Sequence, residues 1–248
     1  MTKMRQLKWY WRMLILLLLS VLVNLFSFPR PWLLDWLKMA LPTMTLGELG
    51  YIAFIITGVL TGLGLTALVL ATVWLERPTN IRQFFKLGSL DWTSVVVIVL
   101  GIGILDALEV TFLRRMLYEP LRLFLVSLGL WGQPSLEINI APDANMTGLN
   151  LLLLLLMAWI EAPEEIFFRG YVQNHLQEHV GANWAALLGA IIWDAWHISA
   201  PAEFFRRLLF ALLFSLVFRW RQNTTALAVV HPLLNRLLAL FLVILPSK

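Results

Sequence analysis

Long apolar stretches alternate with short polar ones along the whole chain. Residues 13–28, 49–74, 93–112, 121–131, 149–160, 184–197, 204–218 and 226–245 are each dominated by Leu, Val, Ile, Phe and Trp. A helix needs about 20 apolar residues to cross a bilayer, and lipid offers no hydrogen-bond partner to an open sheet edge, so the pattern predicts spanning helices. The expected fold is all-α, a polytopic transmembrane helical bundle of about six to eight spans. Residues 81–92 mix apolar and charged positions and read as an interfacial helix, because their charges forbid burial in lipid.

Composition sharpens this picture. Of 248 residues, 60% are hydrophobic and 14% charged, and the mean hydropathy is +0.78. Soluble domains are about 45–50% apolar and about 25% charged, so a water-soluble globule and a disordered chain are both excluded. The absence of cysteine removes disulfides, thiolate metal sites and cysteine nucleophiles. Basic residues giving the net charge of +4 are scattered, unlike the runs that bind nucleic acid, so no nucleic-acid partner is expected. The location that follows is integral and multi-pass, in the cell (inner) membrane if the source is bacterial.

Lys3, Arg5, Lys8 and Arg12 precede the first apolar stretch. No small-residue cleavage site follows, so an uncleaved first span is preferred over a signal peptide, and the basic segment favours a cytoplasmic start. Gly58 and Gly62 give the second span a small-xxx-small spacing, which permits close helix approach or is ordinary glycine usage. Asp106 and Glu109 share a helical face near the end of the third span. They line a polar cavity or sit near the headgroups with Arg114 and Arg115. The turn formers of 132–148 divide an accessory half, residues 1–148, from a second half, residues 149–248.

The second half carries the chemistry. Glu161, Glu164, Glu165 and Arg169 follow a leucine run, where each charge costs about 2.5–3.5 kcal/mol at mid-bilayer unless paired or hydrated. Glu165 and Arg169 are spaced i,i+4 and can pair, while Glu164 projects about 100° away and lacks that cation. A carboxylate so placed in a water-poor cavity suits a general base; the alternative is an interfacial salt-bridge cluster. Trp193 and His197 share a face on the next apolar segment, and His231 and Asn235 share one on the last. His197, beside Trp at a helix end, is a base, a ligand or an interfacial anchor. Three polar clusters on three helices point to one shared cavity, and its carboxylate, imidazoles and carboxamide can attack an amide with water.

Glu164-Glu165-x-x-x-Arg169, Trp193-x-x-x-His197 and His231-x-x-x-Asn235, in this order, resemble the CPBP family of intramembrane proteases. That family comprises the type II CAAX prenyl endopeptidases and bacterial relatives linked to bacteriocin processing and self-immunity. The resemblance covers about residues 149–245. It implies that Glu164 and His197 activate a water, that His231 and Asn235 stabilise the oxyanion, and that Glu165 and Arg169 hold the helix. Trp193 stands where the family often has phenylalanine, preserving an aromatic face. No cofactor is expected; zinc held by Glu164, His197 and His231 is the mechanistic rival.

The expected partners are the lipid bilayer and a membrane-associated or lipidated protein or peptide as substrate. A non-enzymatic membrane immunity or scaffold protein and a small proton-coupled transporter are the competing functions. The sequons at Asn145 and Asn223 are read as turn or cap residues, and His175 and His179 as part of a solvated loop helix rather than a metal site.

Overall fold

A computed structural model describes residues 8–25, 31–108, 147–197 and 204–244, with isolated positions between 112 and 127. Side chains at 31, 106, 147–154, 157, 204–206 and 235–244 lie outside that description. Among the described residues the chain is helical and has no strand. The helices are α1 (Trp9–Leu25), α2 (Pro31–Ala40), α3 (Leu46–Glu76), α4 (Ile81–Phe84) and α5 (Trp92–Leu108). After these come α6 (Thr147–Glu165), a π-helical segment (Ile166–Gln173), α7 (Asn174–Val180), α8 (Ala182–Trp196), α9 (Phe204–Arg221) and α10 (Thr224–Ile244).

α3 shows how local sequence sets an element. Thr45 caps its start: its hydroxyl accepts from the Glu48 amide at 3.3 Å while the Glu48 carboxylate accepts from the Thr45 amide at 2.7 Å, a reciprocal capping box. Arg77 ends it in the left-handed region at φ 47°, just before Pro78. The 31 residues between are about 46 Å long, more than the roughly 30 Å of a bilayer's hydrocarbon. Thr57, Thr61, Thr66 and Thr72 return their hydroxyls to carbonyls one turn back, so these four donors are satisfied within the helix.

Among the described residues α3 is the one helix that length and composition alone fit to cross a membrane; residues 9–25, 92–105 and 224–234 are shorter apolar helices. Large apolar side chains such as Leu18, Leu63, Leu100 and Trp184 are more than half exposed, consistent with an apolar environment around these helices.

The small-xxx-small pair of α3 is used in packing. A Cβ on Gly58 would lie 2.7 Å from Leu156 and one on Gly62 would lie 3.1 Å from Trp159, both on α6; at Gly64 it would meet Val23 of α1 at 2.8 Å. Glycine thus brings three helices together. One hydrophobic core runs through both halves of the chain, from Leu16 and Leu65 to Phe167, Tyr171 and Trp196.

The expected interfacial helix over 81–92 is shorter than predicted. Only Ile81–Phe84 is α-helical, because Lys86 adopts a left-handed φ of 53° and turns the chain. The turn has a use: carbonyls of Phe85 and Lys86 receive the Thr224 hydroxyl at 2.6 Å and amide at 3.0 Å. Asn223 accepts from the Ala226 amide and donates to Ser89, so it acts as the cap expected of it. α10, which carries His231, is therefore anchored at its start. Glu109, Arg114, Arg115 and Asn145 lie outside the described residues, as does the side chain of Asp106.

Candidate active site

The π-helical segment lies at the centre of the packing, touching α3, α6, α7, α8, α9 and α10. Every residue from Phe167 to Gln173 is buried. π turns are rare and recur at functional sites. Gly170 is needed there because a Cβ would lie 2.9 Å from the Phe85 carbonyl oxygen and 3.3 Å from the Thr224 hydroxyl. Arg169 and Gln173, one turn apart, donate to the Ala211 and Ser215 carbonyls of α9 at 3.5 and 2.8 Å.

α6 ends by delivering Glu164 and Glu165 to the start of this segment, just after Pro163. Both are essentially buried, as are Glu161 and Arg169. Glu165 takes two partners: the Arg169 guanidinium at 3.4 Å, the expected i,i+4 pair, and His231 Nδ1–H, which donates to its Oε1 at 2.8 Å. Buried charges survive only when matched in this way. The second Glu165 oxygen is buried without a hydrogen-bond partner. The guanidinium carbon of Arg169 sits 5.0 Å from the Trp193 ring and 5.9 Å from the Phe214 ring, a cation held between two aromatic surfaces.

Glu164 receives a different donor. The Trp193 indole N–H gives its hydrogen bond to Glu164 Oε1 at 2.5 Å. His197 caps α8, and its Nδ1–H donates to the Trp193 carbonyl at 3.0 Å, leaving Nε2 as the acceptor nitrogen of the neutral ring. The Trp193 ring centroid is 4.3 Å from that of His197 and 5.9 Å from that of His231. Glu164, Glu165, Arg169, Trp193, His197 and His231 therefore form one contiguous cluster. Asn235 follows His231 by about one turn on α10, and its side chain lies outside the described residues.

Two features differ from expectation. Glu165 does more than secure a helix, since it orients the imidazole of His231. Among the described residues, Glu164, Glu165 and His231 offer ligand atoms that all lie within 4.8 Å of one another, whereas the zinc alternative named Glu164, His197 and His231. His197 is directed to its own helix by the Trp193 carbonyl. Two carboxylates and an imidazole suit zinc chemically, although the Arg169 cation already neutralises Glu165.

Sequence reasoning missed several supports. Arg207 donates to Asp194 at 3.0 Å and to the His197 carbonyl at 3.4 Å, fixing the end of α8. The Trp196 indole N–H donates to the Ser20 carbonyl of α1 at 2.6 Å. The Tyr171 hydroxyl donates to Glu76, which Arg12 also meets at 2.9 Å. His175 and His179 are on a short helix as expected, but they also touch Trp9 of α1, His179 at a centroid distance of 3.8 Å. Buried tryptophans in α8 were the available signal, because an indole N–H in an apolar core needs an acceptor.

Residues 147–237 match the family model of the type II CAAX prenyl endopeptidase Rce1-like proteins, a protease family of membrane proteins. No curated protein and no solved structure matches the chain. The matched segment opens with α6 and includes every side chain of the cluster just described. Over residues 147–237, a little more than a third of its length, the chain is similar to the CAAX-protease-like family.

Proposed function

We propose that the protein is an intramembrane endopeptidase, a multi-pass membrane protein of about six to eight spans that hydrolyses a peptide bond of a membrane-associated or lipidated protein or peptide. The observation that carries this reading is the meeting of Glu164, His197 and His231 around Trp193 in a largely buried cluster. Residues 149–248 form the catalytic unit in this reading and residues 1–148 the accessory one.

Glu164 takes a proton from water as its oxygen attacks the scissile carbonyl carbon, while Nε2 of His197 accepts a hydrogen bond from the same water and orients it. His231, oriented by Glu165, and Asn235 donate to the oxyanion. When the C–N bond breaks, the proton returns to the leaving amine, so acid, base and oxyanion donors are all accounted for. Glu165 and Arg169 balance each other's charge and keep His231 aligned. Bound zinc, held by Glu164, Glu165 and His231, would supply Lewis acidity at the same place.

Quantitative terminal proteomics on cells expressing wild type or Glu164→Ala at matched membrane levels tests the reading. New peptide ends that require Glu164 are expected and would also name the substrate. Identical ends in both, with any cellular phenotype retained by the variant, would favour a non-enzymatic immunity or scaffold role.

A further inference from the structure

We propose that Trp193 is a positioning residue, whose indole N–H clamps one oxygen of Glu164 and turns the carboxylate so that its other oxygen serves the attacking water. This rests on the proposed hydrolytic role of Glu164. Trp193 is 6% and Glu164 3% exposed, and their hydrogen bond is 2.5 Å long. The ring cannot easily move away, since Arg169 lies over it at 5.0 Å and His197 packs beside it at 4.3 Å.

Trp193 also holds the second hydrogen-bond acceptor. Its carbonyl receives His197 Nδ1–H at 3.0 Å. One residue thereby sets the spacing between carboxylate and imidazole, through its side chain on one side and its main chain on the other. A carboxylate with no such donor can rotate about its last side-chain torsion, which is broad. A phenyl ring would fill much of the same volume and keep the contact with Arg169, but it has no N–H to donate. The feature that distinguishes tryptophan here is the single hydrogen bond, and an unmatched indole N–H at this depth would be costly.

The test uses the full-length protein in detergent micelles with 15N-labelled tryptophan indoles. The cross-peak missing from Trp193→Phe identifies the Trp193 N–H, and we expect Glu164→Gln to move that cross-peak. On a peptide chosen from Glu164-dependent cleavage sites, Trp193→Phe should lower kcat about 10- to 100-fold with KM unchanged, as expected for misplacing a reacting group. Benzothienylalanine at position 193, which keeps the bicyclic shape without the N–H, should behave like Trp193→Phe. It replaces that variant if Trp193→Phe fails to fold.

An indole resonance indifferent to Glu164 overturns the proposal, as does a full kcat in the benzothienylalanine protein. Wild type that shows the coupled resonance while terminal proteomics finds no Glu164-dependent peptide end would refute the protease reading and leave the clamp itself in place. The two failures are therefore distinguishable.

Discussion

His231 Nδ1 lies 2.8 Å from Glu165 Oε1, joining α10 to the junction of α6 and the π-helical segment. The same carboxylate faces Arg169 at 3.4 Å, and all three side chains are mostly or wholly removed from solvent. Removing the cation strands a buried carboxylate, which costs about 3–5 kcal/mol. Arg169→Ala should therefore sharply reduce the folded fraction, measured by size-exclusion chromatography of detergent-solubilised protein. Arg169→Met combined with Glu165→Gln should recover much of it, because charge is then removed from both sides of the pair.

Gly170 supplies a second test, on packing alone. The Phe85 carbonyl oxygen lies 2.9 Å from where a Cβ would sit, and it is already engaged by the Thr224 hydroxyl at 2.6 Å. A backbone oxygen cannot rotate aside as a side-chain tip can. Gly170→Ala should lower stability by about 1–3 kcal/mol, seen as a lower Tm, whereas Gly103→Ala, with open space around it, should not.

Asp91 offers a pH test at the start of α5. Arg221 Nε donates to its carboxylate at 2.6 Å and the Ser94 hydroxyl at 2.7 Å, and these bonds, Arg221 first, hold its pKa down at about 2. An unfolded aspartate titrates near 3.9. The folded state thus binds the proton less well, so the Asp91 contribution is fully present above about pH 4 and disappears as pH falls through about 2. The difference in Tm between wild type and Asp91→Asn should be largest near neutral pH and close over that window. A difference that persists unchanged to the bottom of the window would contradict this assignment.

The tie between α1 and the candidate site predicts that the accessory half matters. Trp196→Phe removes the N–H that reaches the Ser20 carbonyl, a net loss of about 1 kcal/mol for a typical hydrogen bond. Limited proteolysis should find α1 cut faster in this variant, with α6 to α10 cut at the wild-type rate.

Much of the architecture is written in apolar run length. The 49–74 stretch became α3, and 184–197 became α8 with His197 as its cap. The Glu165 and Arg169 pairing followed from one-turn spacing on a helix. What spacing could not provide was contact between helices far apart in sequence. Glu165 meets His231 across 66 positions, and Glu164 meets Trp193 across 29. Nor does any local pattern announce the π-helical turn at Ile166–Gln173, which is stabilised by packing on all sides rather than by propensity. Lys86 is a similar case: a residue with no preference for the left-handed region adopts it where Thr224 takes the carbonyls of Phe85 and Lys86 and Asn223 takes that of Ser89.

Hydrolysis at Glu164 is the central claim, and oxygen isotope incorporation tests it most directly. Purified wild type and Glu164→Gln, each reconstituted in liposomes with membrane proteins from the expressing cells, would be incubated in H2(18)O and the new peptide ends read by mass spectrometry. The account predicts new C-terminal carboxylates carrying one 18O with wild type and none with Glu164→Gln, both proteins being equally folded by circular dichroism. Equal labelling by the two proteins would contradict it.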